Sequence, residues 1–132
     1  MLNRQIVMAE FDRIRKQYFS DWKEFSQWRF GVKKLEDPTT RGMVLMKEKE
    51  IWINESILSS ISLPVLGALI IHEICHAITH DDEQMHGVNW CEKMETVAWQ
   101  ARDTEREMAE AVYSMFKEWS FNLALLKTRE DN

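Results

Sequence analysis

The stretch Ile71-His72-Glu73-Ile74-Cys75-His76-Ala77 constrains this chain most, because it places two histidines and a carboxylate in an otherwise apolar run. In a helix, His72 and His76 lie four residues apart on one face, so both imidazoles can reach the same point. Glu73 is offset by about 100° around the helix axis and can reach a water molecule at that point. Two neutral imidazoles that bind a metal, beside a carboxylate that accepts a proton from water, are typical of zinc hydrolases.

The helix that would carry these residues is predicted to be buried. Apolar residues occur on nearly every side of it between Pro64 and Thr79, and Ser62 before Pro64 is a typical helix start. Burying two imidazoles and a carboxylate in such a helix is unfavourable without a partner, and a bound cation provides one. The alternative is a structural helix whose two histidines are hydrogen-bonded core residues.

The composition indicates one domain, residues 1–132, with 45% hydrophobic residues available for a core. No apolar run approaches the roughly 18 residues of a membrane-spanning helix, and Met1–Arg4 lacks a signal-peptide core. We therefore expect a cytoplasmic protein without a membrane partner. Two cysteines are too few for a disulfide scaffold and are expected to be reduced. A net charge of −5 argues against a broad nucleic-acid-binding surface.

Apolar periodicity predicts an α+β fold with an N-terminal helix, a three-stranded antiparallel sheet, the buried helix and C-terminal helices. The predicted helices are Asn3–Phe25, Pro64–Thr79, a helix from Trp90 and a long helix ending near Lys127. The predicted strands are Gln27–Leu35, Met43–Met46 and Ile51–Ile53. If the chain cleaves peptides, we expect Gly42–Met46 or Ile51–Ile53 to be the strand nearest the cleft. That strand would pair with an extended substrate by adding a strand to the sheet.

A catalytic zinc usually has three protein ligands and a water molecule, so one more ligand is needed. His86 ranks first, because it follows a chain reversal that can bring it back over the helix and Gly87 frees the adjacent backbone. Glu95, on the next predicted helix, is its main rival. Two weaker candidates are His80, which fits a capping or outer-shell role better, and Asp82, at the position of the third metzincin histidine.

The motif His72-Glu73-Ile74-Cys75-His76, followed by His86-Gly87-Val88-Asn89-Trp90, resembles the SprT-like (Spartan) zinc metalloprotease family. The resemblance spans roughly residues 42–94, and Trp90 fills the aromatic position of the family pattern. It implies a small zincin-like metallopeptidase domain with one Zn²⁺ per chain, held by His72, His76 and His86. It also implies that Glu73 is the general base and that the substrate is a protein or peptide.

The chain departs from larger members of that family, which carry zinc ribbons or DNA-binding tails. DNA is a partner only by this resemblance, and the acidic composition does not support it. Residues Glu95-Thr96-Val97-Ala98 also resemble the downstream glutamate segment of ImmA/IrrE-type proteases, gluzincin-like enzymes that cleave regulators. That second resemblance implies Glu95 as the third ligand.

Two other functions remain open from the sequence. In a non-catalytic zinc protein, a fourth protein ligand from His80, Glu95 or Cys91 would close the site, although Glu73 would then have no role. An interaction module without metal is the other alternative. The group that stabilises the oxyanion is not defined by the motif, and His80 and Tyr113 are candidates only by their chemistry.

Overall fold

The computed structural model describes residues 1–79 and 86–117, which form helices around a small sheet. The helices are α1 (Arg4–Tyr18), α2 (Leu63–Ile78), α3 (Val88–Ala101) and α4, which occupies residues 106–117 of the described chain. The strands are β1 (Arg29–Lys33), β2 (Gly42–Leu45) and β3 (Glu50–Asn54), and two short 3₁₀ helices cover Lys23–Gln27 and Glu55–Ile57. The predicted α+β fold class is therefore confirmed.

Helix α1 is shorter than the predicted helix Asn3–Phe25. Asn3 caps it by accepting a hydrogen bond from the Ile6 backbone N–H at 2.9 Å, and the helix ends at Tyr18. The periodic apolar pattern continues because Trp22, beyond the helix, is also buried. Phe25 is instead 40% exposed and lies under the Arg15 guanidinium, 3.9 Å from the ring centre. Periodicity alone does not separate one long helix from a helix followed by a 3₁₀ turn.

The sheet has the order β1-β3-β2 and is mixed, so the predicted all-antiparallel pairing is wrong. Strands β2 and β3 form the expected antiparallel pair, with Gly42 opposite Ile53, whereas β1 and β3 are parallel. The chain reverses direction between β1 and β2 and again between β2 and β3, so β1 and β3 run the same way. Residues 34–41 place β2 one strand position away from β1, and β3 then fills the position between them. Strand β3 is therefore central and β2 lies at an edge.

The Asn54 side chain holds the loop between β1 and β2. Its Oδ1 accepts hydrogen bonds from the backbone N–H groups of Leu35 and Ser56, at 3.2 and 3.1 Å. Its Nδ2 donates to the backbone carbonyls of Asp37 and Thr40, at 3.2 and 2.6 Å. Because Asn54 is fully buried, these four bonds satisfy an amide that has no access to water.

Helix α2 lies at the centre of the fold, in contact with α1, α3, β2 and β3. Ser62 caps its first turn by accepting a hydrogen bond from the Val65 N–H, and Pro64 lies in that turn, as predicted. Its buried residues are Leu66, Gly67, Ala68, Leu69, Ile70, Ile71, Glu73, Ile74, Cys75 and Ala77. The predicted burial of this helix is confirmed.

The C-terminal part begins with α3, which starts two residues before the predicted Trp90. Residues 102–105 then form a turn before α4, whose Met108 and Val112 are buried as the periodicity predicts. The predicted end of the last helix near Lys127 lies outside the described residues. In the described part of the chain, no helix is long and apolar enough to cross a membrane.

Replacing Asn54 with alanine should destabilise the fold by about 2–4 kcal/mol. The change removes four hydrogen bonds and leaves buried backbone N–H and C=O groups without a partner. Urea unfolding measures the loss. Asn3→Ala is the matched control, and losing this exposed cap should cost only about 1 kcal/mol. Equal losses in the two variants would contradict the role of Asn54.

A pH-dependent contribution is expected from Glu105, which joins α1 to the start of α4. Burial alone would raise the pKa of Glu105, but hydrogen bonds from Arg13 and Tyr18 outweigh it, and the net pKa is lowered. A carboxyl with a lowered folded pKa stabilises the protein above its unfolded pKa, and that stability is lost as pH falls through the folded value.

Glu105→Gln should therefore lower the free energy of unfolding by about 1–3 kcal/mol at pH 7. The difference from the unmodified protein should shrink below about pH 4, as the carboxylate is protonated. Urea unfolding at both pH values measures it. A difference that stays constant with pH would contradict this contribution.

Candidate metal centre

Helix α2 presents His72 and His76 on one face, as their spacing predicts. Their Nε2 atoms lie 3.0 Å apart, and both side chains are only partly buried. Because α2 is capped by Ser62 and packed on its other sides, the two imidazoles are fixed relative to each other by the helix itself.

His86 reaches the same point from the turn that precedes α3. Its ring centre lies 5.4 Å from that of His72 and 4.8 Å from that of His76. One ligand atom from each of the three histidines lies within 4.8 Å of the others. The backbone freedom expected of Gly87 is not used, because its φ of −80° and ψ of −170° are open to any residue.

Trp90 forms the wall against which the three imidazoles pack. Its ring is fully buried, lies nearly parallel to that of His76 at 17° and 5.3 Å, and lies 4.4 Å from that of His86. Its Nε1 donates a hydrogen bond to the His72 backbone carbonyl at 3.4 Å. The aromatic residue of the motif therefore joins α3 to α2 at the level of the histidines.

Burial keeps His72 and His86 in the neutral form at neutral pH. Burial is the largest cause that lowers the pKa of His72 to about 3, followed by repulsion from His76, His86 and Arg41. Burial also lowers the pKa of His86. Neutral imidazoles carry the lone pairs that metal ions bind, so these two histidines do not need to lose protons before they bind a cation.

Glu73 lies beside this cluster and is only 5% exposed. Its Oε1 is 3.9 Å from His72 Nε2, and burial raises the pKa of the carboxyl to about 8. A cation held by the histidines would favour the ionised carboxylate, because opposite charge at short range lowers a carboxyl pKa. The carboxylate is thus next to the position that a metal held by the three histidines would occupy, hereafter the metal position. It is not itself part of the histidine cluster.

These residues fit a zinc ion. With bonds of about 2.0–2.1 Å in tetrahedral geometry, two ligand nitrogens lie about 3.3 Å apart, and the observed 3.0 Å between His72 and His76 is close to this. Three imidazole donors are also a ligand set that zinc uses in catalytic sites, with the fourth position left for water.

Glu95 and Cys91 are not in the cluster of candidate ligands formed by residues 1–79 and 86–117. Glu95 is exposed on α3 and lines a groove of about 810 Å³ between α3 and α4. Cys91 is buried on α3 as a reduced cysteine. The other two sequence candidates, His80 and Asp82, lie outside the described residues. Tyr113, considered for the oxyanion, is 55% exposed and lines the same groove as Glu95.

The structure also brings Gly42 and Arg41 to the site, which the sequence analysis did not single out. Gly42 lies against the Glu73 side chain, and the Arg41 charge acts on His72. A glycine within a strand often marks a close approach of another group, which is the signal that could have identified Gly42. No sequence signal pointed to Arg41.

Comparison with known proteins gives two findings. Residues 7–112 match the family model described as the SprT-like family. The chain is similar to the crystal structure of the metallopeptidase zymogen of Methanocaldococcus jannaschii jannalysin, with a TM-score of 0.55 and 14% sequence identity. The match covers 86% of this chain and 96% of that one, and at this identity it shows a shared fold. No match was found among curated proteins.

Removing one histidine of the cluster should release the metal. We expect His86→Ala to weaken zinc binding by more than about 100-fold, because loss of an outer-shell partner alone costs about 10–100-fold. Competition with a zinc-binding dye measures the affinity, and Glu95→Ala is the matched control, with unchanged affinity. If Glu95→Ala released zinc and His86→Ala retained it, the ligand assignment would be wrong.

Proposed function

Because the chain belongs to the SprT-like family, we propose that it is a zinc-dependent metallopeptidase that hydrolyses internal peptide bonds. The observation that carries the proposal is the cluster of His72, His76 and His86 with the Glu73 carboxylate beside it. The fold shared with a protein described as a metallopeptidase zymogen supports the same activity.

In the proposed mechanism, His72, His76 and His86 hold one zinc ion per chain. Zinc, when bound, supplies a Lewis acid that polarises the peptide carbonyl and makes water a better nucleophile at neutral pH. Trp90 keeps the three imidazoles in position through ring contacts and its hydrogen bond to His72. The ligand geometry is therefore set before the metal arrives, which lowers the entropy cost of assembling the site.

Glu73 is proposed to be the general base. Its carboxylate accepts the proton of the attacking water and then donates that proton to the nitrogen of the leaving amine. Burial supports this role, because desolvation raises the pKa of the carboxyl and so favours the protonated form, while a bound cation would favour the ionised form that accepts the proton. A purely structural site would have no use for a buried carboxylate at this distance from His72.

Strand β2 is the proposed position for substrate. The sequence left β2 and β3 as the candidate substrate-binding strands. Strand β3 is central, so of these two only β2 lies at an edge of the sheet. The Asn54 N–H donates to the Arg41 carbonyl, so in the alternating antiparallel pattern Arg41 and Met43 face β3. The N–H and C=O groups of Gly42 and Val44 then face the free edge, where they can pair with an extended peptide.

A non-catalytic zinc protein is less well supported. It needs a fourth protein ligand: of the three sequence candidates, Glu95 and Cys91 do not join the histidine cluster and His80 lies outside the described residues. The buried Glu73 would also have no role in such a site. A role in binding DNA is not supported by the net charge of −5.

Glu73→Gln separates the catalytic role from the structural one. We expect the variant to keep one zinc per chain and to lose about 10²–10⁴-fold in kcat, because the amide cannot accept a proton. Cleavage of an unfolded protein such as casein measures activity, and elemental analysis measures zinc. Glu95→Gln is the control, with both properties unchanged. Full activity of Glu73→Gln, or no cleavage by the zinc-loaded unmodified protein, would contradict the proposal.

A further inference from the structure

Gly42, the first residue of edge strand β2, lies directly against the Glu73 side chain. A Cβ built on Gly42 would lie 3.0 Å from Glu73 Oε1 and 3.1 Å from both its Cδ and its Cγ. The three nearest atoms therefore all belong to Glu73. Carbon atoms in ordinary contact are about 3.5–4.0 Å apart, so the backbone approaches this carboxylate more closely than a side chain would allow.

The backbone conformation does not explain a glycine here. No glycine of the described residues has a positive φ, so Gly42 adopts a conformation open to other residues. Glycine inside a strand also weakens it, since it has the most freedom to lose and no side chain to pack. The space taken by Glu73 is the remaining physical reason for a residue without a side chain at position 42.

The Glu73 carboxylate has little room to move away from β2. It is only 5% exposed, and its Oε1 is 3.9 Å from His72 Nε2 on the side of the histidine cluster. A methyl group at position 42 would therefore displace the carboxylate by a few tenths of an ångström from its present place beside His72. Misplacement of a reacting group by about 1 Å can cost about 100-fold in rate.

We propose that Gly42 is a positioning residue, whose missing side chain lets edge strand β2 hold the Glu73 carboxylate at its working distance from the metal position. This inference rests on the proposed function. The same residue presents its N–H and C=O groups to the free edge where a substrate would pair. Gly42 thus sets the position of the general base and that of the substrate backbone relative to each other.

A stability cycle on the metal-free protein tests the contact independently of activity. Gly42→Ala should lower the urea midpoint when Glu73 is present. In the Glu73→Ala background, which lacks all three crowding atoms, the same change should leave the midpoint unchanged or raise it, because alanine is favoured over glycine. An equal loss in both backgrounds would overturn the proposal.

Gly31→Ala is the matched control for this cycle. A Cβ at Gly31, on β1, would lie 2.5 Å from a ring carbon of Trp52 and so meets a residue other than Glu73. Its loss of stability should therefore be the same in the Glu73 and Glu73→Ala backgrounds. If Gly42→Ala alone is too unstable to purify, the cycle can still be measured. The double variant Gly42→Ala/Glu73→Ala lacks the crowding, so comparing its urea midpoint with that of Glu73→Ala still shows the effect of the added methyl group.

A kinetic experiment tests the consequence for the base. Zinc-loaded Gly42→Ala should lose about tenfold or more in kcat, with KM and zinc affinity each within about twofold of the unmodified protein. Unchanged kcat, or a fall in zinc affinity that accounts for the loss, would overturn the positioning role. If the unmodified zinc-loaded protein cleaves no peptide, the proposed function fails, whereas the stability cycle still confirms or refutes the contact between Gly42 and Glu73.

Discussion

The burial of polar groups in helix α2 is the constraint on which the rest of the structure depends. Residues on nearly all sides of this helix are in the core, yet it carries two imidazoles and a carboxylate. Removing a carboxylate from water without a partner is strongly unfavourable, and its raised pKa expresses that penalty. A cation at the histidine cluster would relieve it, which supports the proposal that the polar residues of α2 form one half of a metal site.

The surrounding elements complete this site from three directions. The turn before α3 supplies His86, Trp90 on α3 packs against all three imidazoles, and Gly42 on β2 bounds the carboxylate of Glu73. The loop before β2 is in turn held by Asn54 at the end of the central strand. A short chain thereby fixes the site with side chains that are themselves buried or hydrogen-bonded, which is the condition for holding reacting groups within fractions of an ångström.

Much of this arrangement could be predicted from local sequence patterns. The spacing of His72 and His76, the Ser62 and Pro64 start signal and the apolar surroundings define α2, and the strands β2 and β3 follow from short apolar runs. The parallel pairing of β1 was not predictable, because alternation indicates a strand but not its neighbour or direction. Gly42 was missed for a related reason, since its contact with Glu73 joins residues that are distant in the sequence and depends on how the sheet packs.

In the proposed site, three histidines bind zinc and leave one position open for water. X-ray absorption spectroscopy of the zinc-loaded protein tests it most directly. We expect three imidazole ligands at about 2.0 Å with one additional oxygen ligand, and no sulfur. A sulfur ligand at about 2.3 Å, or four imidazoles, would show a closed structural site and rule out the proposed catalytic centre.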